Sequence, residues 1–275
     1  MPTTRGPVHI HYERRDADGP AVVLLMGLSL SGKFWMDLPD RLAARPRPFS
    51  AITVDNRGTG RSDKPYGVYR MSALADDVAR VLDDARLGSA FVVGVSLGGM
   101  IAQHVALRHP SRVRGLGLLA TTPGLPHGRP PPPASLRKLL GLPFEKPGPM
   151  SRDALSLLIA EEDLPRAGEI FRGWAALMRT ERTPRHAFFA QLAAAVGHST
   201  GRRLGEIRCP AVVVTGDADV LIRPRNSAVL ASRIPSAELW TLPGVGHTIP
   251  SIDRELVGRA LDRLVEREEG ARAAS

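Results

Sequence analysis

The 275-residue chain is 43% hydrophobic and 24% charged, the make-up of an ordinary soluble globular protein of one large domain, or of one domain carrying an insertion. Its single cysteine, Cys209, excludes an internal disulfide and argues against a thiolate metal site. The formal net charge of +9 invites a nucleic-acid or membrane reading, but only Lys33, Lys64, Lys138 and Lys146 of the 37 basic residues are lysines, and the arginines are scattered with no basic run, which favours a solvated arginine-rich surface.

In chain order, Met1 to Asp16 alternates polar and charged residues around no apolar core, so it does not read as a signal peptide. No segment approaches the roughly 20 apolar residues needed to span a bilayer, and a cytoplasmic protein is expected. The apolar runs Ala21–Met26, Ala51–Val54, Phe91–Val95, Gly115–Ala120, Ala211–Thr215 and Ala237–Leu242 read as strands. Ser72–Ala85 repeats apolar residues at helical spacing, with Ser72 as N-cap and Leu74, Val78, Val81 and Leu82 on one face. Gly99–His109 reads as a second helix, stopped by Pro110. Strands alternating with helices predict an α/β fold, a mostly parallel sheet with helices on both faces.

One region breaks the alternation. A proline-rich stretch runs from Pro123 to Pro149, and Ser151–Glu162, Ala167–Met178 and Arg185–Val196 then read as helices with no strand among them. The alternation resumes near Ile207. Residues 1–121 and 207–275 are therefore expected to form the core domain, and residues 122–206 a helical insertion. Phe171, Trp174, Phe188 and Phe189 fall in this insertion, in a chain only 5% aromatic; they either line a ligand pocket or pack the insertion on itself. Cys209, just before an apolar run, is expected to be a buried packing residue, and the charged end after Leu264 is expected to fray.

The strongest chemical signal is Gly94-Val95-Ser96-Leu97-Gly98, between a strand-like and a helix-like segment. A serine there sits on a tight turn that pushes its hydroxyl outward, above a helix N-terminus that favours developing negative charge. A serine hydroxyl stays protonated at neutral pH, so nucleophilic work needs a base and a carboxylate to orient the base. Of the eight histidines, only His247 follows the last strand in a glycine-rich loop, Pro243-Gly244-Val245-Gly246-His247. Asp217 and Asp219, in Gly216-Asp217-Ala218-Asp219 at the end of the fifth apolar run, are both candidates for the acid; an Asp next to Gly is also a common turn residue.

Four motifs in the expected order make the chain resemble the α/β-hydrolase superfamily over nearly its whole length. Asp55-Asn56-Arg57-Gly58-Thr59-Gly60-Arg61-Ser62 is similar to the family's D-x-R-G-x-G-x-S loop, and Gly94–Gly98 to its nucleophile elbow. Gly216–Asp219 resembles its G-x-x-D acid loop, and Gly244–His247 its G-x-G-H loop. The resemblance implies an α/β-hydrolase fold with a helical cap and a triad of Ser96, Asp219 and His247. It implies backbone oxyanion donors at Leu28 and Leu97, whose side chains would also wall the pocket. Within the superfamily, Pro65-Tyr66-Gly67-Val68-Tyr69, Leu74-Ala75-Asp76-Asp77-Val78 and Ser96-Leu97-Gly98-Gly99-Met100 look like β-ketoadipate enol-lactonases, and Met26-Gly27 looks like aclacinomycin-type methylesterases. Many relatives carry His-Gly where this chain has Met26-Gly27.

Met26, Met100 and Trp174 are the candidate substrate-contacting side chains. The function expected is hydrolysis of a small-molecule ester or lactone, with no metal and no organic cofactor implied. Thioester, carbon–carbon or perhydrolase chemistry, or hydrolysis or cyclisation of a natural-product substrate, on the same fold is the alternative, and a non-catalytic ligand-binding protein a third reading.

Overall fold

The apolar runs become strands of one seven-stranded sheet in the computed structural model, which describes residues 2–145, 151–160, 164–248 and 253–273. The strands are β1 (Tyr12–Arg15), β2 (Ala21–Leu25), β3 (Ser50–Val54), β4 (Ala90–Val95), β5 (Val113–Leu119), β6 (Ala211–Gly216) and β7 (Ala237–Leu242). The helices are α1 (Leu38–Ala43), α2 (Met71–Asp84), α3 (Leu97–Arg108), α4 (Pro133–Gly141), α5 (Arg152–Leu158), α6 (Leu164–Thr180), α7 (Arg185–Val196), α8 (Pro224–Arg233) and α9 (Leu256–Ala273). Strand order is β1-β3-β2-β4-β5-β6-β7, with every neighbouring pair parallel except β1 and β3.

Side chains alternate across a strand, and here both faces are covered. Val23 and Leu25 of β2 pack with Leu74, Val78, Val81 and Leu82 of α2 and with Ile101 and Val105 of α3. Val22 and Leu24 pack on the opposite face with Leu38 and Leu42 of α1 and Leu256, Leu261 and Leu264 of α9. The chain winds from β2 outward to β3, then returns to place β4 on the other side of β2. Such a reversal opens a crevice at the carboxyl ends of the two strands, the place where open α/β sheets bind ligands.

Several expectations are corrected. The strand β1 went unread because it is an edge strand in which only Tyr12 is buried, so it carries no apolar run. Ser72 lies within the first turn of α2, whose N-cap is Arg70, with no side-chain cap bond. The chain end does not fray after Leu264: α9 continues to Ala273. Its last turns are held by charge, since Glu268 is buried and accepts hydrogen bonds from Arg114 Nε (3.0 Å) and Nη2 (2.6 Å) and from Arg272 Nη2 (2.8 Å). Cys209 is partly buried rather than fully so; it packs against the core, and burial pushes its thiol up to about 12.

Between β5 and β6 the described residues contain α4, α5, α6 and α7 and no strand. The proline-rich stretch at 146–149, Glu161, Glu162 and the side chain of Phe171 lie outside the described residues. No described helix is long and apolar enough to cross a membrane.

Candidate active site

Ser96 stands alone between β4 and α3, with φ 54° and ψ −116°. A non-glycine residue held there costs about 1–3 kcal/mol and persists only where its surroundings dictate it. They do so here. The Ser96 N–H donates to Leu119 O (2.9 Å), and Ser96 O accepts from Met100 N–H (3.1 Å) and Thr121 Oγ1 (2.8 Å). The flanking glycines are steric requirements: a Cβ on Gly94 would lie 2.2 Å from Gly98 O, and one on Gly98 would lie 2.0 Å from Leu25 O. The turn is thus wedged between the ends of β2 and β5, and the N–H of Leu97 opens α3 without an intrahelical partner.

The loops after β6 and β7 bring Asp219 to His247, with Asp219 Oδ2 2.7 Å from His247 Nδ1. Both side chains are buried. A carboxylate only accepts, so Nδ1 carries a proton and donates it, and Nε2 is the ring nitrogen left for other work. The second carboxylate oxygen, Oδ1, accepts the N–H groups of Leu221 and Ile222, each at 2.8 Å, so the acid is fixed in orientation. Asp217 does a different job. It is exposed, and its Oδ1 accepts the Gly244 N–H at 2.7 Å, which closes the loop leading to His247.

Ser96 and His247 line one cavity of about 270 Å³. Its walls are mainly apolar and include Met26 and Leu28 from the loop after β2, and Leu142, Leu158, Trp174 and Phe188 from between β5 and β6. The ring of Trp174 meets Phe34 edge-on at 5.4 Å. The lining also includes the charged residues Glu145, Arg182 and Glu181, the last paired with Lys33 at 2.6 Å.

Two sequence expectations fail here. Met100 does not line the cavity; one turn into α3 its side chain packs in the layer between the sheet and α2. The Leu97 side chain likewise points into that layer and does not wall the pocket, although its N–H sits at the turn. Phe189 is partly exposed and packs against Phe144 and Phe188 instead of the cavity.

The loop Met26–Leu30 crosses directly over Ser96, since a Cβ on Gly27 would be 3.5 Å from the Ser96 Cβ. It is tied down by residues to which the sequence reading gave no role. Asn56 Nδ2 donates to Met26 O (3.0 Å), the Ser29 N–H donates to Gln191 Oε1 (2.8 Å), and Thr183 Oγ1 donates to Ser29 O (2.9 Å). Asp55 braces the same region from beneath, accepting from the N–H groups of Gly32 (2.7 Å) and Arg61 (2.8 Å); burial raises its carboxyl above the usual range. The signal for Gln191 was present: it is the one polar side chain in the run Ala187–Val196. Among the described residues no cluster of three or more His, Cys, Asp or Glu side chains is arranged to hold a metal ion.

A family model for the alpha/beta hydrolase fold matches residues 20–251. The chain belongs to the α/β-hydrolase fold family. This α/β hydrolase is 30% identical over 259 residues to a Caulobacter segnis protein named as a carbamate hydrolase, RutD, covering 90% of this chain and 92% of that protein. Among solved structures it is similar to Est816, described as an N-acyl homoserine lactone degrading enzyme, with a TM-score of 0.79, 29% identity, and coverage of 95% of this chain and 99% of that one. It is also similar to a thermophilic esterase from Thermogutta terrifontis, with a TM-score of 0.80, 25% identity and 97% of both chains covered. The α/β hydrolase thus shares its architecture along nearly its full length with these proteins.

Proposed function

We propose that this α/β hydrolase is a serine hydrolase that cleaves a carboxylic ester or lactone through an acyl-enzyme. The observation that carries the reading is the buried 2.7 Å Asp219–His247 pair opening onto the same apolar cavity as the strained Ser96. In the proposed cycle His247 Nε2 takes the Ser96 Oγ proton as Oγ attacks the carbonyl carbon. The N–H groups of Leu28 and Leu97 hold the tetrahedral oxyanion, each lowering the barrier by roughly 3–4 kcal/mol. As the intermediate collapses, the imidazolium gives its proton to the departing alkoxide. Water, deprotonated by His247, then attacks the acyl carbon, and as this second intermediate collapses the imidazolium returns its proton to Ser96 Oγ, freeing the serine and the carboxylic acid. Asp219 holds the tautomer and stabilises the imidazolium, and no metal or organic cofactor takes part in these steps. Residues 122–206 act as a cap that covers the cavity and selects the acyl group. Met26 and Trp174 are the substrate-contacting side chains.

The likeness to a protein named as a carbamate hydrolase favours a second reading, in which the same acyl transfer acts on a carbamate. Labelling with a fluorophosphonate probe tests the shared mechanism: wild type should label and Ser96→Ala should not, and equal labelling of the two would sink it. Comparing rates on p-nitrophenyl esters, lactones, thioesters and a carbamate separates the readings.

A further inference from the structure

We infer that Gln191 is a positioning residue for the oxyanion, so that α7 sets the geometry of catalysis as well as contributing to the pocket wall. This rests on the proposed serine-hydrolase reading, in which the Leu28 N–H is one oxyanion donor. That N–H belongs to the peptide immediately before the one Gln191 holds. Ser29 has φ 68°, in the left-handed region that a serine does not enter unaided. Both peptides flanking its Cα are gripped by side chains from the segment between β5 and β6. Gln191 Oε1 accepts the Ser29 N–H, and Thr183 Oγ1 donates to the Ser29 carbonyl.

The Gln191 amide cannot flip without loss, because its Nε2 donates to Arg57 O at 2.7 Å while its Oε1 faces an N–H. Its side chain is fully buried, and Gly58 approaches so closely that a Cβ there would meet Nε2 at 3.4 Å. Arg57 is itself fixed by two hydrogen bonds to the buried Asp77 of α2, at 2.9 and 2.7 Å. A chain of contacts therefore runs from α2 through the 55–62 loop and Gln191 to Ser29. It fixes the plane of the peptide that follows Leu28 and, with it, the direction of the Leu28 N–H. A donor of this kind works only within about 0.5 Å of its productive position.

The test compares kcat and KM on an ester substrate with the Ki of phenylboronic acid, which forms a tetrahedral adduct on the nucleophilic serine. For Gln191→Met, which keeps the bulk and removes both hydrogen bonds, kcat should fall about tenfold or more with KM within about twofold, and the boronate Ki should rise by the same factor. Gln191→Glu keeps an acceptor for the Ser29 N–H and should lose less. If Gln191→Met does not fold, Thr183→Val makes the same comparison from the carbonyl side, with the same pattern expected at smaller size. A folded Gln191→Met, or in its place Thr183→Val, with wild-type kcat overturns the inference, and so does a kcat loss with no matching loss of boronate affinity. Ser96→Ala separates the two levels. If it stays active, the serine-hydrolase reading fails, whereas an inactive Ser96→Ala beside a fully active Gln191→Met defeats only the role of Gln191.

Discussion

The sheet and the helices between β5 and β6 contribute to the site in different ways. The sheet carries the side chains of the proposed triad at the ends of strands: Ser96 after β4, Asp219 after β6, His247 after β7. Each is fixed by close backbone neighbours and short-range loop geometry. The helical segment supplies none of these groups but touches the loops that carry them. Gln191 and Thr183 grip the loop after β2. Leu158 O accepts both the N–H and the hydroxyl of Thr248, at 2.9 and 2.7 Å, directly beside His247. A Cβ on Gly246 would lie 2.7 Å from Ala160 N, so the backbone there is in contact with the segment. The segment is thus bonded to the site from two sides, and changes in it should alter rate as well as substrate choice.

The largest effects should come from the strand-end groups. Ser96→Ala and His247→Ala should each lower kcat on an ester by about 10⁴-fold or more. Steady-state hydrolysis of a p-nitrophenyl ester measures this. Activity within about tenfold of wild type in either variant breaks the assignment of chemistry to the sheet.

Next in size is the contrast between two carboxylates on one loop. Asp219→Asn replaces the acceptor for His247 Nδ1–H with a group that also donates, favours the wrong tautomer, and should cost about 10³–10⁴ in kcat. Asp217→Asn disturbs only the bond to the Gly244 N–H and should stay within a few-fold of wild type. The reverse ranking would transfer the acid's role to Asp217.

These comparisons show what the sequence made legible. The strands β2 to β6 were readable because a run buried on both faces must be apolar throughout. Ser96 was readable because its glycines answer to local sterics, and His247 because no other histidine follows the last strand. The choice between Asp217 and Asp219 leaned on the resemblance. In the structure the two differ: Asp219 is buried with three donors around it, and Asp217 is exposed. Met100 was misplaced because its closeness to Ser96 in sequence says nothing of which way a helical side chain points. The grip of Gln191 on Ser29 spans 162 positions, and such a contact exists only once α7 has docked.

A smaller effect, on stability, probes the wedge under Ser96. Gly98→Ala puts a methyl group against Leu25 O, a backbone atom at the end of an interior strand that cannot turn aside. The expected loss is on the order of 3 kcal/mol, read as a lower urea midpoint with unchanged slope. A substitution of similar size in the helical segment, Gly141→Ala, has open space around its Cβ and should change stability by less than about 1 kcal/mol. Equal effects would mean the turn after β4 is less tightly built than its geometry indicates.

A pH-dependent effect lies on the seam between the two regions. His104 on α3 and His198, just past α7, face each other with His104 Nε2 3.1 Å from His198 Nδ1, and His198 Nε2 is 2.9 Å from Thr122 O. The carbonyl only accepts, so His198 donates from Nε2 and takes the His104 proton at Nδ1; both rings are neutral. Desolvation by burial lowers His104 to about 4 and His198 to about 3, and the nearby Arg108 and Arg203 oppose charge on His104 as well. Above pH 6.5 neither the folded nor the unfolded chain protonates these rings, and their full contribution is present. Below it the unfolded chain binds protons that the folded chain refuses, so stability falls as pH drops from 6.5 towards 4. The two rings titrate as one coupled unit, so the loss belongs to the pair and not to either histidine alone. Carboxylates titrate in the same range, so the measurement is the difference between variants. The Tm of His198→Gln, which cannot take up a proton there, should fall less steeply between pH 6.5 and 4.5 than that of wild type. Thr200→Val, which removes the neutral hydrogen bond to Gln103 at 2.6 Å on the same seam, should lower Tm by the same amount at every pH. Parallel pH profiles for wild type and His198→Gln would mean that His198 takes up its proton as readily in the folded chain as in the unfolded one.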